Sequence, residues 1–260
     1  MTTALVTGAS AGLGEGFARA LAKEGHDLIL TARRVDRLEA LAADLRRTHD
    51  VTVHIFATDL AEPGAPAALI ARATEAGLTI DTLINNAGFG LQGAVADLDA
   101  EGQGRIIDVN CRALVILAHA VLPDMIARRK GGILNVASTA AFQPGPMFAV
   151  YSASKAFVLS FSEALHEEVK VHGVCVAALC PGPTRTEFAQ VAGMRQSVIF
   201  ERFAGSADAV IHDGLAALKA NQAVKISGMR NFLLAESTRF APRGVIRRFA
   251  HQLQKGRTQA

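Results

Sequence analysis

A chain of 260 residues, half of them apolar and a fifth charged, can bury a large core and fits one α/β domain or two small ones. Its net charge of +3 gives no ground for expecting nucleic acid as a partner. The three cysteines, Cys111, Cys175 and Cys180, form no CxxC pair, so they read as reduced core residues of an intracellular protein.

Ala4–Thr7 reads as a strand at once and leaves no room for a leader peptide; no apolar run reaches the length that spans a bilayer. The expected location is the cytoplasm. Directly after this strand comes Thr7-Gly8-Ala9-Ser10-Ala11-Gly12-Leu13-Gly14, opening a helix through Phe17, Ala18 and Leu21. The glycines stand at TGxxxGxG. They let the backbone turn tightly and approach a pyrophosphate, whose charge then sits at a helix N-terminus. A plain turn also uses glycine, but the place between strand and helix favours a phosphate loop.

The second strand candidate, Asp27–Ala32, runs into Arg33-Arg34 with no carboxylate before Asp36. An acidic residue here would bind the ribose hydroxyls of NAD. Two guanidiniums instead suit a 2′-phosphate, which predicts NADP(H); a solvated Arg pair at a helix entrance is the competing reading. Leu38, Leu41 and Leu45 then share one side of an amphipathic helix. Further strand candidates are Val51–Ala57, Thr82–Asn85, Gly132–Ala137, Val174–Leu179 and Ala223–Ile226, with helical patterns between them. This alternation predicts an α/β fold: a Rossmann-type, doubly wound parallel sheet of about seven strands with helices on both faces. No linker or repeat marks a boundary, so residues 1–260 are expected to form one domain.

The chain has one tyrosine, Tyr151, and no tryptophan. Tyr151 opens Tyr151-Ser152-Ala153-Ser154-Lys155, which on a helix puts phenol and ammonium on one face. A free phenol has a pKa near ~10, and a nearby cation favours the phenolate. The alternative is an ordinary helix-start tyrosine with a solvated lysine beside it.

With TGxxxGxG, Asp59-Leu60, Asn85-Asn86-Ala87-Gly88, Asn110, Ser138, Tyr151/Lys155 and Pro181-Gly182-Pro183-Thr184 in this order, the chain closely resembles the short-chain dehydrogenase/reductase family from Thr7 to about Thr186. The resemblance implies a role for each motif. Tyr151 would be the general acid/base, and Ser138 would polarise the substrate carbonyl. Lys155 would bind the nicotinamide ribose and lower the phenol's pKa, and Asn110 would anchor a water relaying protons to Lys155. Gly8, Ser10, Gly12, Leu13 and Gly14 would line the pyrophosphate, with Asp59 and Leu60 flanking the adenine. Asn86, Ala87 and Gly88 would pass the adenosine side. Pro181, Gly182 and Thr184 would border the nicotinamide, with Thr186 within reach. No metal is implied. The expected activity is that of an NADP(H)-dependent carbonyl reductase or alcohol dehydrogenase; a catalytically silent dinucleotide sensor is the alternative.

The chain departs from the family after its last strand, where Ser227-Gly228-Met229-Arg230-Asn231-Phe232 and a basic stretch replace an Asp-Gly-Gly turn. That puts the usual tetramer contact in doubt and leaves a homodimer through the helices of Asn110 and Tyr151 as the expectation. A basic helical segment at about 231–255 is expected to pack on the body through Val245, Ile246 and Phe249 rather than on a membrane. Substrate walls are expected at Ala140–Phe148 and in a lid at about 187–203. Phe142, Met147, Phe148, Phe188, Val191, Met194 and Phe200 make these apolar, which points to a hydrophobic carbonyl or alcohol.

Overall fold

A computed structural model describes residues 2–185, 187 and 205–255. The strands are β1 (Thr3–Thr7), β2 (Asp27–Thr31), β3 (Val53–Ile55), β4 (Ile80–Asn85), β5 (Gly131–Val136), β6 (Val174–Cys180) and β7 (Val224–Ile226). Every pairing is parallel, in the order β3-β2-β1-β4-β5-β6-β7. All the expected strands form, though the third is shorter than its apolar run.

The helices among the described residues are α1 (Gly12–Lys23), α2 (Val35–Thr48), α3 (Ala65–Glu75), α4 (Ala100–Ile107), α5 (Leu114–Arg128), α6 (Ala149–Val169), α7 (Ala207–Lys219), α8 (Met229–Ser237) and α9 (Arg243–Lys255). They cover both faces of the sheet because alternate strand residues point to opposite sides. Ala4, Val6, Leu28 and Leu30 pack with Phe17 of α1, Leu38 of α2 and Ile211 of α7. Leu5, Ile29, Leu83 and Val176 pack on the other face with Leu69 of α3, Leu117 and Val121 of α5 and Leu165 of α6. Connections from β1 run outward to β2 and β3, then cross to β4 on β1's other side. The reversal opens a crevice at the C-terminal ends of β1 and β4, where ligands bind in open α/β sheets.

A turn of π-helix, Asp108–Ala113, joins α4 to α5, so Ala100–Arg128 is one continuous helix. By length and composition this helix could cross a bilayer, contrary to the sequence expectation. Its Leu114, Leu117, Val121 and Met125 are nevertheless buried against the protein's own core. Beneath α6 lies a chain of buried amides. Asn85 Nδ2 donates to Asn135 Oδ1 at 2.9 Å, Asn135 Nδ2 to Ser162 Oγ at 2.9 Å, and Ser162 Oγ to the Val158 carbonyl at 2.6 Å. The C-terminal helical segment holds two helices, α8 and α9, because Pro242 follows the turn at Thr238–Ala241 and restarts the chain.

Candidate active site

The phosphate loop is built by three glycines. Gly8 (φ 67°) and Gly12 (φ 58°) occupy the left-handed region that side chains disfavour. A Cβ at Gly14 would strike the Gly8 carbonyl oxygen. Thr7 ties the loop to the end of β4: its Oγ1 accepts the Asn86 and Ala87 amides, both at 2.9 Å, while Asn86 Nδ2 donates to the Thr7 carbonyl at 2.9 Å. The N-cap of α1, Ala11, makes no side-chain capping bond, leaving the first-turn amides to other partners.

This loop borders a cavity of about 880 Å³. Gly8, Ser10, Gly12, Leu13, Arg33, Arg34, Asp59, Leu60, Asn86, Ala87, Gly88, Ser138, Tyr151, Lys155, Pro181, Gly182 and Thr184 all line it. Two expected residues do not. Gly14 lies beneath Gly8, where close packing alone explains it. Asn110 is only 1% exposed: its Nδ2 donates to the Phe89 carbonyl at 3.0 Å and Ser154 Oγ at 2.9 Å, and its Oδ1 accepts the Phe89 amide at 3.1 Å. Thr186 and the lid residues Phe188, Val191, Met194 and Phe200 lie outside the described residues. Of the expected wall, Phe142 and Phe148 line the cavity and Met147 does not.

Ser138 caps a short 3₁₀ turn at the end of β5, its Oγ accepting the Ala140 amide at 3.1 Å. The Ser138 and Tyr151 hydroxyls are hydrogen-bonded to each other. The Tyr151 ring rests on Phe148, with centroids 4.5 Å apart, and a Cβ at Gly90 would collide with both rings. Lys155 Nζ lies 5.8 Å from the Tyr151 ring centroid and donates to the Val136 carbonyl at 2.7 Å. The phenol's pKa departs from expectation. Burial raises it to about 12, and the Ser138 bond offsets only part of that. Burial also pushes Lys155 down to about 8. Loss of hydration therefore outweighs the pull of Ser138 on the phenol.

The expected adenine-flanking carboxylate is already engaged. Asp59 Oδ2 accepts from Arg105 Nη2 at 2.6 Å, and Oδ1 from the Ala61 amide at 3.0 Å. Arg34 reaches back to the loop, its Nε and Nη2 each 3.2 Å from Ser10 Oγ. The cavity also has walls that sequence reasoning missed, Arg105, Arg230 and Leu234, and Glu187, where the expected lid begins, lines it too. Ile246 and Phe249 of α9 line it too, so the basic tail helix borders the cleft. Its firmest seat on the body is Ala250; Val245 and Phe249 remain 58% exposed. The signal available in sequence was the apolar face of that helix, but not what it faces.

A family model described as short chain dehydrogenase matches residues 2–196. The chain belongs to the short-chain dehydrogenase/reductase family. This is a family of oxidoreductases that work with a nicotinamide cofactor. The chain is 35% identical over 193 residues to very-long-chain 3-oxoacyl-CoA reductase of Bos taurus, covering 72% of this chain but only 61% of that protein. It is 40% identical over 189 residues to sulfoacetaldehyde reductase 2 of Chromohalobacter salexigens, covering 72% and 74% of the two chains. Among solved structures, a short-chain dehydrogenase from Sphingobium yanoikuyae in complex with NADPH superposes with a TM-score of 0.81 at 38% identity, over 87% of each chain. In this family member the left-handed glycines, the α1 N-terminus and the size of the cavity fit a dinucleotide.

Proposed function

We propose that this protein is an NADP(H)-dependent carbonyl reductase or alcohol dehydrogenase acting on a hydrophobic substrate, with Tyr151 as general acid/base. The observation that carries the reading is the convergence of Ser138, Tyr151 and Lys155 on one cavity beside the phosphate loop. When bound, the cofactor supplies or accepts the hydride. In the reducing direction Tyr151 donates its proton to the substrate oxygen while Ser138 holds that oxygen by a hydrogen bond. The cationic Lys155 favours the phenolate left behind, and solvent restores the proton. A silent sensor would have no use for this convergence.

Arg33 and Arg34 on the cavity wall support a 2′-phosphate. Arg34→Ala is expected to weaken NADP⁺ binding by about 10-fold or more, with NAD⁺ binding little changed, as read by titration calorimetry. Equal losses for both would remove Arg34 from phosphate recognition.

The names of the relatives point in two directions, one toward a long acyl chain and one toward a small sulfonated aldehyde. The cavity's Phe142, Phe148, Leu234, Ile246 and Phe249 favour the apolar one. Phe249→Ala is expected to raise KM for long alkyl or aryl ketones roughly 3- to 10-fold and to leave short aldehydes unaffected. A panel followed by NADPH absorbance checks this; higher efficiency on small anionic aldehydes would overturn the apolar assignment. Free thiols at Cys111, Cys175 and Cys180 support a reducing, cytoplasmic setting. Phe157 and Phe161, stacked on the outer side of α6 with Phe157 45% exposed, support a homodimer through α5 and α6.

A further inference from the structure

The Arg34 guanidinium faces a carboxylate from a distant part of the chain. Glu187 Oε2 sits 3.1 Å from Arg34 Nη1, and Glu187 Oε1 sits 3.2 Å from Arg37 Nη1. Each oxygen thus lies on a different cation, as two oxygens of a phosphate would. Glu187 and Arg34 both line the cavity, next to the loop that Arg34 touches through Ser10.

We propose that Glu187 is a built-in counter-ion that competes with a 2′-phosphate for Arg34, and so sets how strongly the protein prefers NADP(H) to NAD(H). The proposal rests on the NADP(H) reading above and adds a residue that opposes it. Arg34's own geometry supports competition rather than assembly. Its Nε and Nη2 are anchored to Ser10, so removing the carboxylate frees Nη1 without releasing the guanidinium from the phosphate loop. The Arg34, Arg37 and Glu187 side chains are 44%, 50% and 40% exposed, so an incoming anion can reach the pair and water screens it. Arg33, which also lines the cavity, makes no ion pair among the described residues and stays available to the same phosphate.

The test compares adenosine 2′,5′-bisphosphate with adenosine 5′-monophosphate by titration calorimetry at low salt, for the unmodified protein, Glu187→Gln and Glu187→Ala. The bisphosphate is expected to bind roughly 2- to 10-fold more tightly to both variants, with the monophosphate unmoved. Unchanged or weaker bisphosphate binding in both variants, with the unmodified protein still preferring the bisphosphate, overturns the counter-ion role alone. If neither the unmodified protein nor the variants prefer the bisphosphate, the NADP(H) reading has failed, and the counter-ion role with it.

Discussion

Tyr151→Phe is expected to lower turnover by about 10³-fold or more while leaving NADP⁺ binding intact. The substitution removes one oxygen and keeps the ring against Phe148 and under Gly90, so the surrounding packing survives. What is lost is a proton donor at the cavity, held in place by Ser138. With its pKa raised to about 12, the Tyr151 phenol carries its proton at neutral pH. That is the form a carbonyl reduction needs. Steady-state rates with a competent ketone, beside calorimetric cofactor binding, check the prediction. Turnover above about a tenth of the unmodified level would take Tyr151 out of the mechanism.

The second large effect is a reversal in how stability depends on pH. Lys155 titrates at about 8 when folded, against 10.5 ordinarily, because its charge is buried. Between those values the unfolded chain binds more protons than the native one, so stability rises with pH. It is lost again as pH falls through about 8. Tyr151 acts in the opposite sense, since its folded pKa exceeds the unfolded 10 and stability falls from there to about 12. Lys155 by itself should therefore contribute a gain on the order of 2 kcal/mol from about pH 8 to about pH 10, set against losses from Tyr151 and from Cys180, whose thiol burial raises to about 12. In Lys155→Met that gain should vanish while turnover collapses. Parallel pH dependence in the variant and the unmodified protein would mean that Lys155 is not the titrating group. The chain's lone tyrosine also lets ultraviolet difference spectra read the phenol directly, with a midpoint near 12 expected in the free protein.

The fold was legible because buried parallel strands are short apolar runs, and the chain alternates them with helical patterns from Ala4 onward. The site was legible where chemistry needs particular residues at local spacing: the loop glycines, Ser138, and Tyr151 with Lys155. Less visible were consequences of tertiary distance. Glu187 meets Arg34 across 153 positions, and no local pattern announces such a pair. Nor does a local pattern announce the π turn at Asp108–Ala113 that holds Asn110 behind the cavity. The phenol's raised pKa follows from burial. Sequence placed a lysine beside the tyrosine, but the depth of both had to come from the fold.

The amides under α6 carry a consequence for tolerance to change. Asn135, held in the sheet by Asn85, finds Ser162 of α6 at one offset of the helix only. Slipping α6 by a turn would strand the buried Asn135 amide of β5 and part it from Ser162. The alignment of Tyr151 with the strand ends is thus indexed separately from the hydrophobic contacts that stabilise α6. Val158, Leu165 and Val169 supply the buried apolar contacts of α6, and the Asn135–Ser162 bond supplies its offset.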